Sequence, residues 1–220
     1  MINLDDVTLV CVNCVNPTLG AKALIYSMKQ INFKQVILFS HEEPNGLEDT
    51  LYKNINFVKI KKLTHHGSSW FTFKELFKYI NTNYCLSIHD DGFVINPFLW
   101  QDKFLEYDYI GAPWANGVVG NGGFTLKSKL FMEICQEVPW NGEHDDWHAC
   151  VTHKSYFESK GCKFAPTDLA VKFSLEGVVP NYDYDLNKCF GFHGKGEVEY
   201  LFQGKGEQFK QAIAKLNTIK

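Results

Sequence analysis

The run at residues 7–15 reads VTLVCVNCV and is apolar and β-branched almost throughout. A continuous run of this kind is typical of a strand that is buried on both faces, as the central strands of parallel sheets are. Asn16-Pro17 interrupts the run, and apolar residues at helical spacing follow from Leu19 to Ile31. We therefore expect a central strand followed directly by a helix that packs on the sheet.

Two further apolar runs, at residues 35–40 and 55–60, extend this pattern to β-α-β and one more strand. The alternation predicts an α/β fold with right-handed crossovers and a largely parallel sheet. Ligands of such sheets bind outside the carboxyl ends of the strands, so Asn13, at that end of the first strand, is a candidate ligand contact. The turn that follows has no G-x-G-x-x-G pattern, which argues against a dinucleotide-binding domain.

The composition indicates one soluble globular domain, with 220 residues of which 45% are hydrophobic. No apolar run approaches the roughly 20 residues of a membrane span. The start, MINLDD, carries acids where a signal peptide would carry basic residues, so we expect a cytoplasmic protein. Seven scattered cysteines fit reduced thiols.

The charge pattern restricts the partners. Net charge is −3 and no run of like charge occurs, so neither nucleic acid nor an anionic membrane is expected as a partner. All 22 basic residues are Lys. A phosphate site in this chain must therefore use metal, Lys, His and backbone N–H groups instead of the guanidinium fork.

An apolar strand from Tyr84 to Ile88 stops on His89-Asp90-Asp91-Gly92. Adjacent carboxylates oppose joint ionisation unless a cation or hydrogen-bond donors neutralise them. One interpretation is a hard-metal site, Mg²⁺ or Mn²⁺, that also binds a diphosphate. The other is a polar turn in which the acids cap backbone donors and Gly92 supplies a positive φ.

A glycine-rich stretch, GVVGNGGFTL at residues 117–126, precedes a helix expected at residues 129–138. Such a run lets a ligand approach the backbone closely, and its N–H groups can hold an anion or sugar hydroxyls. Asn121, Gly122 and Gly123 are the candidate contacts. The alternative is a turn between packed strands that has no ligand.

The segment PWNGEHDDWH, residues 139–148, has three acids and two histidines within six residues, at the start of a predicted helix. Capping and the helix dipole explain one or two acids at such a place. A carboxylate general base beside aromatic sugar platforms would also give this pattern, with Trp114, Trp140 and Trp147 as possible platforms.

Three other segments carry histidine or lysine. His65 to Ser69 is predicted as a loop before a helix at residues 70–80, and a His pair in a loop is more often solvated than ligating. His193 lies close to glycines near the end of the core, where it can turn inwards as a metal ligand, with Lys195 available for phosphate.

Beyond Gly204, residues 205–220 read as a basic amphipathic surface helix, which leaves residues 1–204 as the domain.

Five motifs in matching order carry a family resemblance: DGFVINP (91–97), YDYIGAPW (107–114), GNGGFTLKS (120–128), KFAP (163–166) and FGFHG (190–194). On these motifs the chain resembles the short, soluble GT-A-like glycosyltransferases of bacteria, fungi and large DNA viruses, many of which are known only as domains of unknown function. It is also similar to the N-terminal glycosyltransferase domains of chlorovirus capsid-glycan enzymes. The resemblance covers roughly residues 84–195, and the first 80 residues agree in pattern only.

The resemblance implies a single-domain GT-A (Rossmann-like) fold, with a mixed, mostly parallel central sheet flanked by helices, and a metal held by a DxD-type motif. Here His89 replaces the first acid of that motif. Asp91 corresponds to the metal-binding acid, Asp90 to a metal or ribose contact, and His193 to a late histidine ligand.

The resemblance also places a base that faces the acceptor at Asp146 or its neighbour Asp145. Lys127 stands where the family usually has Arg.

The resulting hypothesis is a Mn²⁺- or Mg²⁺-dependent transferase that moves a sugar from a nucleotide-sugar donor, with UDP the expected nucleotide, to a hydroxyl of a glycan or glycoprotein acceptor. For a viral protein the location would be the host cytoplasm. Two alternatives use the same residues. The first is a metal-dependent phosphoesterase or nucleotidyltransferase, and the second is a sugar-binding module without catalysis.

Overall fold

The computed structural model describes residues 1–220. Six strands form the central sheet: β1 (Ile2–Val12), β2 (Ile31–Ser40), β3 (Asn56–Lys59), β4 (Tyr84–Ile88), β5 (Tyr109–Gly111) and β6 (Phe124–Ser128). Their order across the sheet is β3-β2-β1-β4-β6-β5. β1 pairs in parallel with β2 and β4, β3 pairs in parallel with β2, and β6 is antiparallel to β4 and β5. The predicted mixed, mostly parallel sheet is confirmed.

β1 is the central strand that its apolar run predicts. Leu9, Val10 and Cys11 are fully buried, and Val10 pairs with Ile37 of β2 on one side and Ser87 of β4 on the other. The strand is longer than expected at its start and ends at Val12 instead of continuing to residue 15. A turn replaces its last residues, because the side-chain oxygen of Asn13 accepts the backbone N–H groups of the two residues before Pro17, at 2.9 and 2.8 Å.

Helices cover both faces of the sheet and are short: α1 (Pro17–Met28), α2 (His65–Trp70), α3 (Lys129–Glu137), α4 (Asp145–Trp147), α5 (Lys154–Ser159), α6 (Thr167–Phe173), α7 (Glu199–Phe202) and α8 (Gly206–Ala214). α1 begins two residues before the predicted Leu19, because Pro17 occupies its first turn and the Asn16 side chain accepts the N–H of Leu19, and it ends at Met28 instead of Ile31. None of the eight combines the length and the apolar character that a membrane crossing requires.

The prediction of a loop at residues 65–69 is wrong, because α2 starts at His65. The hydroxyl of Thr64 accepts the N–H of Gly67 at 3.2 Å and caps this helix. A π-helical turn, Phe71–Glu75, and a 3₁₀ turn, Leu76–Tyr79, continue it. The buried side chains of Phe71 and Phe73 hold the segment on the core, and the cap places two histidines on a helix instead of a free loop.

A second, two-stranded parallel sheet brings the late part of the chain to the end of β4. It consists of β7 (Ser174–Leu175) and β8 (Gly191–Phe192), and Gly191 also bridges to Val94. A Cβ at Gly191 would lie 2.2 Å from the ring of Phe124, so only glycine allows β8 to approach the main sheet this closely. His193 directly follows β8 and is positioned by this contact.

The C-terminal segment packs on the same core as the sheet. Phe209, Ala212 and Leu216 are buried in the single large hydrophobic cluster, and their exposed neighbours give α8 the amphipathic pattern seen in the sequence. The carbonyl oxygen of Lys220 accepts the N–H groups of Glu48 and Asp49, both at 3.0 Å. All seven cysteines are free thiols, in agreement with the prediction from their number and spacing.

Candidate active site

One pocket of about 800 Å³ opens beyond the carboxyl ends of β1 and β4. This is the edge at which α/β sheets bind their ligands. The structure places there every residue that the sequence nominates for catalysis, cofactor or metal: Asn13, His89, Asp90, Asp91, Asn121, Gly122, Gly123, Asp145, Asp146, His193 and Lys195. Residues far apart in the sequence thus meet in one concave site.

A tight turn follows β4 and carries the two adjacent acids at its tip. The N–H of His89 donates to the carbonyl of Gly92 at 3.0 Å, and the N–H of Gly92 donates back at 3.3 Å. Gly92 does not have a positive φ, so that part of the turn interpretation is wrong. Its lack of a side chain is needed for packing, because a Cβ there would lie 2.8 Å from the Phe192 carbonyl oxygen and 3.0 Å from that of Gly123.

His193 reaches this turn from the end of β8. Its Nε2 lies 3.4 Å from Oδ1 of Asp91, and its Nδ1 lies 2.9 Å from Oε1 of Glu176. The imidazole stacks directly on the glycine-rich loop, since a Cβ at Gly123 would lie 2.1 Å from the ring. The N–H of Gly194 donates to the carbonyl of Asp91 at 2.8 Å and fixes the two segments to each other.

The charges around this turn are strongly coupled. Burial opposes charge on both partners, but the ion pair with Asp91 and the hydrogen bond that His193 donates to Glu176 raise the pKa of His193 to about 10, and the contact with His193 lowers the pKa of Asp91 to about 2. Burial and the adjacent Asp91 charge raise the pKa of Asp90. His89 is open to the pocket, yet the protein atoms around it and the charge of His193 lower its pKa. Without a bound ion, the imidazolium of His193 balances the charge of Asp91. An ion bound at Nε2 would take the place of the proton on that nitrogen.

His89, Asp91 and His193 form a set of possible metal ligands. Each offers one ligand atom, and these atoms lie within 4.8 Å of one another. Asp90 lines the same pocket outside this set. Glu176 bonds the second ring nitrogen of His193, which is the arrangement that orients a histidine toward a metal. Two imidazole nitrogens and a carboxylate oxygen are a donor set that can hold a divalent transition ion.

The glycine-rich loop forms one wall of the pocket with its backbone. Asn121 has a positive φ of 34°, is buried, and accepts the N–H of Gly123 through its side chain at 3.2 Å. A Cβ at Gly120 would lie 2.1 Å from the ring of Trp114, so this tryptophan covers the loop. The turn that the alternative interpretation expected is present, and it faces the pocket.

The two adjacent acids at the start of α4 have different surroundings. Asp146 Oδ2 accepts the N–H of Gly122 at 2.8 Å, and its Oδ1 accepts the N–H of Trp147 at 2.7 Å. Asp145 Oδ2 lies 3.4 Å from Nζ of Lys127, whose side chain is only 4% exposed. Asp145 therefore compensates a buried ammonium group, whereas Asp146 is attached to the glycine-rich loop.

His148 anchors the segment that carries these acids, residues 143–148, which we call the acid loop. It is fully buried, its Nδ1 lies 2.8 Å from Oε2 of Glu143, and its Nε2 lies 3.0 Å from the carbonyl oxygen of Pro139. Both ring nitrogens face acceptors, so the ring ties the acid loop to the end of α3. Trp140 packs on this histidine with ring centroids 5.2 Å apart, is partly buried against the core and does not line the pocket.

Asn13 and Lys195 both line the pocket. The Asn13 carbonyl already accepts two N–H groups of the turn after β1, which leaves its amide N–H₂ to face the pocket. Lys195 is exposed and lies between Gly194 and Gly196, which both have positive φ. Trp114 and Trp147 also line the pocket and pack against each other with centroids 5.6 Å apart.

The pocket also contains Glu176 and several polar side chains of the α2 segment, none of which the sequence pattern indicates. Glu176 lies in the pocket beside His193, and the pocket is also lined by Ser68 and Ser69 of α2 and by Thr72 of the π-helical turn that follows it. An acid directly after a short apolar strand is the signal that pointed to Asp90 and Asp91, and Glu176 follows β7 in the same way. The sequence does not indicate that the two serines line the pocket, because its pattern predicts a loop at their positions.

Comparisons with known proteins agree with this architecture. Residues 51–193 match the model of the family described as "Protein of unknown function (DUF5672)". No curated protein matches the sequence.

Among solved structures, the fold is similar to that of the galactosyltransferase LgtC in complex with donor and acceptor sugar analogues, at 13% identity and TM-score 0.50, covering 97% of each chain. It is also similar to that of a glycosyltransferase involved in glycosylation of the major capsid of PBCV-1, at 18% identity and TM-score 0.50, covering 93% of this chain and 98% of that chain. The expected GT-A fold is confirmed.

Proposed function

This chain belongs to the family of proteins of unknown function DUF5672, and we propose that it is a metal-dependent glycosyltransferase that uses a nucleotide-sugar donor, with UDP the expected nucleotide. The acceptor is a hydroxyl of a glycan or glycoprotein. One observation supports the proposal most directly. A metal-ligand set, a glycine-rich loop and a pair of acids all line one pocket of a GT-A fold.

Asp91 and His193 are the proposed metal ligands, with His89 or Asp90 as the third, and Mn²⁺ fits this donor set better than Mg²⁺. Such an ion would offset the charge that grows on the diphosphate as the bond between sugar and phosphate breaks. The chain supplies the remaining compensation from Lys195, which is exposed on its glycine-flanked turn and can reach a phosphate oxygen. This agrees with the absence of Arg from the sequence.

The donor sugar and nucleoside occupy opposite ends of the proposed site. Asn121, Gly122 and Gly123 hold the sugar, because a backbone without side chains allows close approach. Asn13 contacts the nucleoside through its free amide N–H₂ group, at the end of β1. His89 adds a further polar contact on the donor side. Trp114 and Trp147 offer two aromatic faces on the side of the acid loop, where an acceptor sugar can pack.

Asp146 is the proposed general base, which requires an inverting reaction. Asp145 is held by the buried ammonium of Lys127, so its charge already has a structural use. Asp146 lies against Gly122 in the sugar wall, and a carboxylate within hydrogen-bond reach of the acceptor hydroxyl is what deprotonation requires. Water exclusion by the two tryptophans would strengthen this interaction.

Calorimetric titration with UDP, GDP and dTDP, each with Mn²⁺ and again with EDTA, tests the proposal. We expect one nucleotide to bind in the presence of Mn²⁺ and to lose its affinity in EDTA. The Asp91→Asn variant should behave like the EDTA sample, and Asp102→Asn, a change on an exposed turn away from the pocket, should bind like the unaltered protein. Absence of binding for all three nucleotides would favour a sugar-binding module instead.

A further inference from the structure

Three histidines meet at the edge of the pocket and take no part in the function proposed above. His65 and His66 open α2, and His144 stands in the acid loop just before α4. All three are exposed. Their ring centroids lie 4.9 Å apart for His65 and His144, 5.6 Å for His66 and His144, and 6.2 Å for His65 and His66. Two separate walls of the pocket therefore contribute to one histidine cluster.

Two of the three ring spacings, 4.9 and 5.6 Å, are close to that of imidazoles around one metal ion, and the spacing of His65 and His66 is wider at 6.2 Å. A Zn–N bond of about 2.0–2.1 Å puts each ring centroid about 3.2 Å from the ion, so tetrahedral ligation separates the centroids by roughly 5 Å. His89 and His193, whose ligand atoms already converge with Asp91, have centroids 5.4 Å apart. The ligand nitrogens of His65, His66 and His144 do not converge as the ligand atoms of His89, Asp91 and His193 do, so these rings must turn toward a common point to share an ion. Because the three rings are exposed, they can do so without displacing core side chains.

The ligand chemistry of this histidine cluster differs from that of the set formed by His89, Asp91 and His193. It contains imidazoles only, and such a set suits Zn²⁺, Ni²⁺ or Cu²⁺ better than Mg²⁺ or Mn²⁺. Three protein ligands leave a fourth position for water or a ligand group from the pocket. We propose that His65, His66 and His144 form a second metal site, selective for an imidazole-preferring ion such as Zn²⁺.

A bound ion would join two elements that face each other across the pocket. His144 directly precedes Asp145 and Asp146, and His65 shares its helix with Ser68, which also lines the pocket. An ion at this position holds the acid loop against α2 and narrows the entrance next to the proposed base. Metal binding at this site requires neither a nucleotide nor transfer activity, so its test does not depend on the proposed function.

Titration of metal-free protein with Zn²⁺, followed by calorimetry, tests the proposal. We expect two binding events in the unaltered chain and one in Asp91→Asn. In the Asp91→Asn background, His144→Ala and His66→Ala should each weaken Zn²⁺ binding by about tenfold or more, because loss of even an outer-shell partner costs that much. The matched control is His41→Ala, which alters a histidine outside the pocket and should leave the affinity unchanged.

Thermal unfolding supplies a second readout. Zn²⁺ should raise the Tm of Asp91→Asn and leave that of Asp91→Asn/His144→Ala unchanged, while the Tm values without metal stay equal because the ring of His144 is exposed. Equal Zn²⁺ affinity in the His144→Ala, His66→Ala and His41→Ala variants would overturn the proposal. Complete loss of Zn²⁺ binding on Asp91→Asn alone would also overturn it.

Discussion

At the scale of single residues, Lys127 explains why two adjacent aspartates need not be equivalent. Its ammonium is buried in β6 and has Asp145 as its acid partner. Removing one member of a buried ion pair leaves the other charge uncompensated, which destabilises the folded protein far more than the loss of an exposed ion pair does. The effect should be asymmetric here, since Asp145 can be hydrated from the pocket whereas Lys127 cannot.

Asp145→Asn should therefore lower the free energy of unfolding by about 2–4 kcal/mol. Lys127→Met should lower it less, and Asp145→Asn should have little further effect once Lys127 is Met. Denaturant unfolding of the two single variants and the double variant measures this coupling. The matched control is the exposed pair of Lys154 and Glu158, 3.9 Å apart, for which coupling below about 0.5 kcal/mol is expected. Additive effects at Lys127 and Asp145 would show that they do not form a pair.

Glu176 is the residue that orients His193. Its carboxylate lies 2.9 Å from Nδ1, which leaves Nε2 to face Asp91 and the proposed ion. Glu176→Ala should weaken Mn²⁺ binding by about 10- to 100-fold, as losses of such outer partners of metal ligands do. The measurement is a Mn²⁺ titration of the metal-free protein, with Glu197→Ala, an exposed acid outside the pocket, as the control. Unchanged Mn²⁺ affinity in Glu176→Ala would remove this residue from the site.

At the scale of elements, the acid loop depends on His148. His148→Leu should lower the free energy of unfolding by about 2–3 kcal/mol, because the Glu143 carboxylate and the Pro139 carbonyl both lose their partner. Turnover should fall as well, since the acids lose their fixed position. His41→Leu, at a histidine outside the pocket, is the control, and equal stabilities of the two variants would contradict the anchoring role.

The same contact predicts a dependence of stability on pH. The hydrogen bond from His148 lowers the pKa of Glu143 below its ordinary value. A carboxyl group whose pKa is lowered by folding stabilises the protein above its unfolded pKa, and this contribution is lost as the pH falls through the lowered value. The free energy of unfolding should therefore decline with acidification below about pH 4.5, and less steeply in Glu143→Gln.

Sequence patterns predicted the elements of the sheet better than those of the helices around the site. The apolar runs located β1, β2 and β4, because strands buried on both faces have continuous hydrophobic sequences. They also located β3, an edge strand whose residues are only half-buried or exposed. The start of α2 was missed, since its first residues are polar and its only signal was Thr64 as the cap. The positive φ expected at Gly92 was wrong because contact with two backbones, not a turn geometry, requires glycine there.

At the scale of the whole molecule, the C-terminal helix α8 completes the core. Phe209 is fully buried and packs on Phe192, Phe202 and Tyr184. Phe209→Ala should lower the free energy of unfolding by about 3–5 kcal/mol. Tyr200→Ala, at a side chain that is 79% exposed, should change it by less than about 0.5 kcal/mol. Equal, small changes in both would mean that residues 205–220 are separable from the domain at residues 1–204.

Which residues come together in the pocket could be predicted from the sequence only in part. Strand ends and motif order placed Asn13, Asp91 and His193 on one side of the sheet, where the structure has them. The pairing of Lys127 with Asp145 was not accessible, because it depends on which face of β6 points toward α4. Long-range contacts of this kind follow from packing and not from local pattern.

The most direct test of the metal-dependent transferase is the product released from nucleotide sugars. A panel of UDP-, GDP- and dTDP-sugars is incubated with the chain in Mn²⁺ or EDTA, with a mixture of sugar acceptors, and the nucleotides are separated. We expect nucleoside diphosphate from one donor, formed with Mn²⁺, absent in EDTA and absent with Asp91→Asn. Release of nucleoside monophosphate would contradict the account, because it would mean cleavage within the diphosphate by a phosphoesterase.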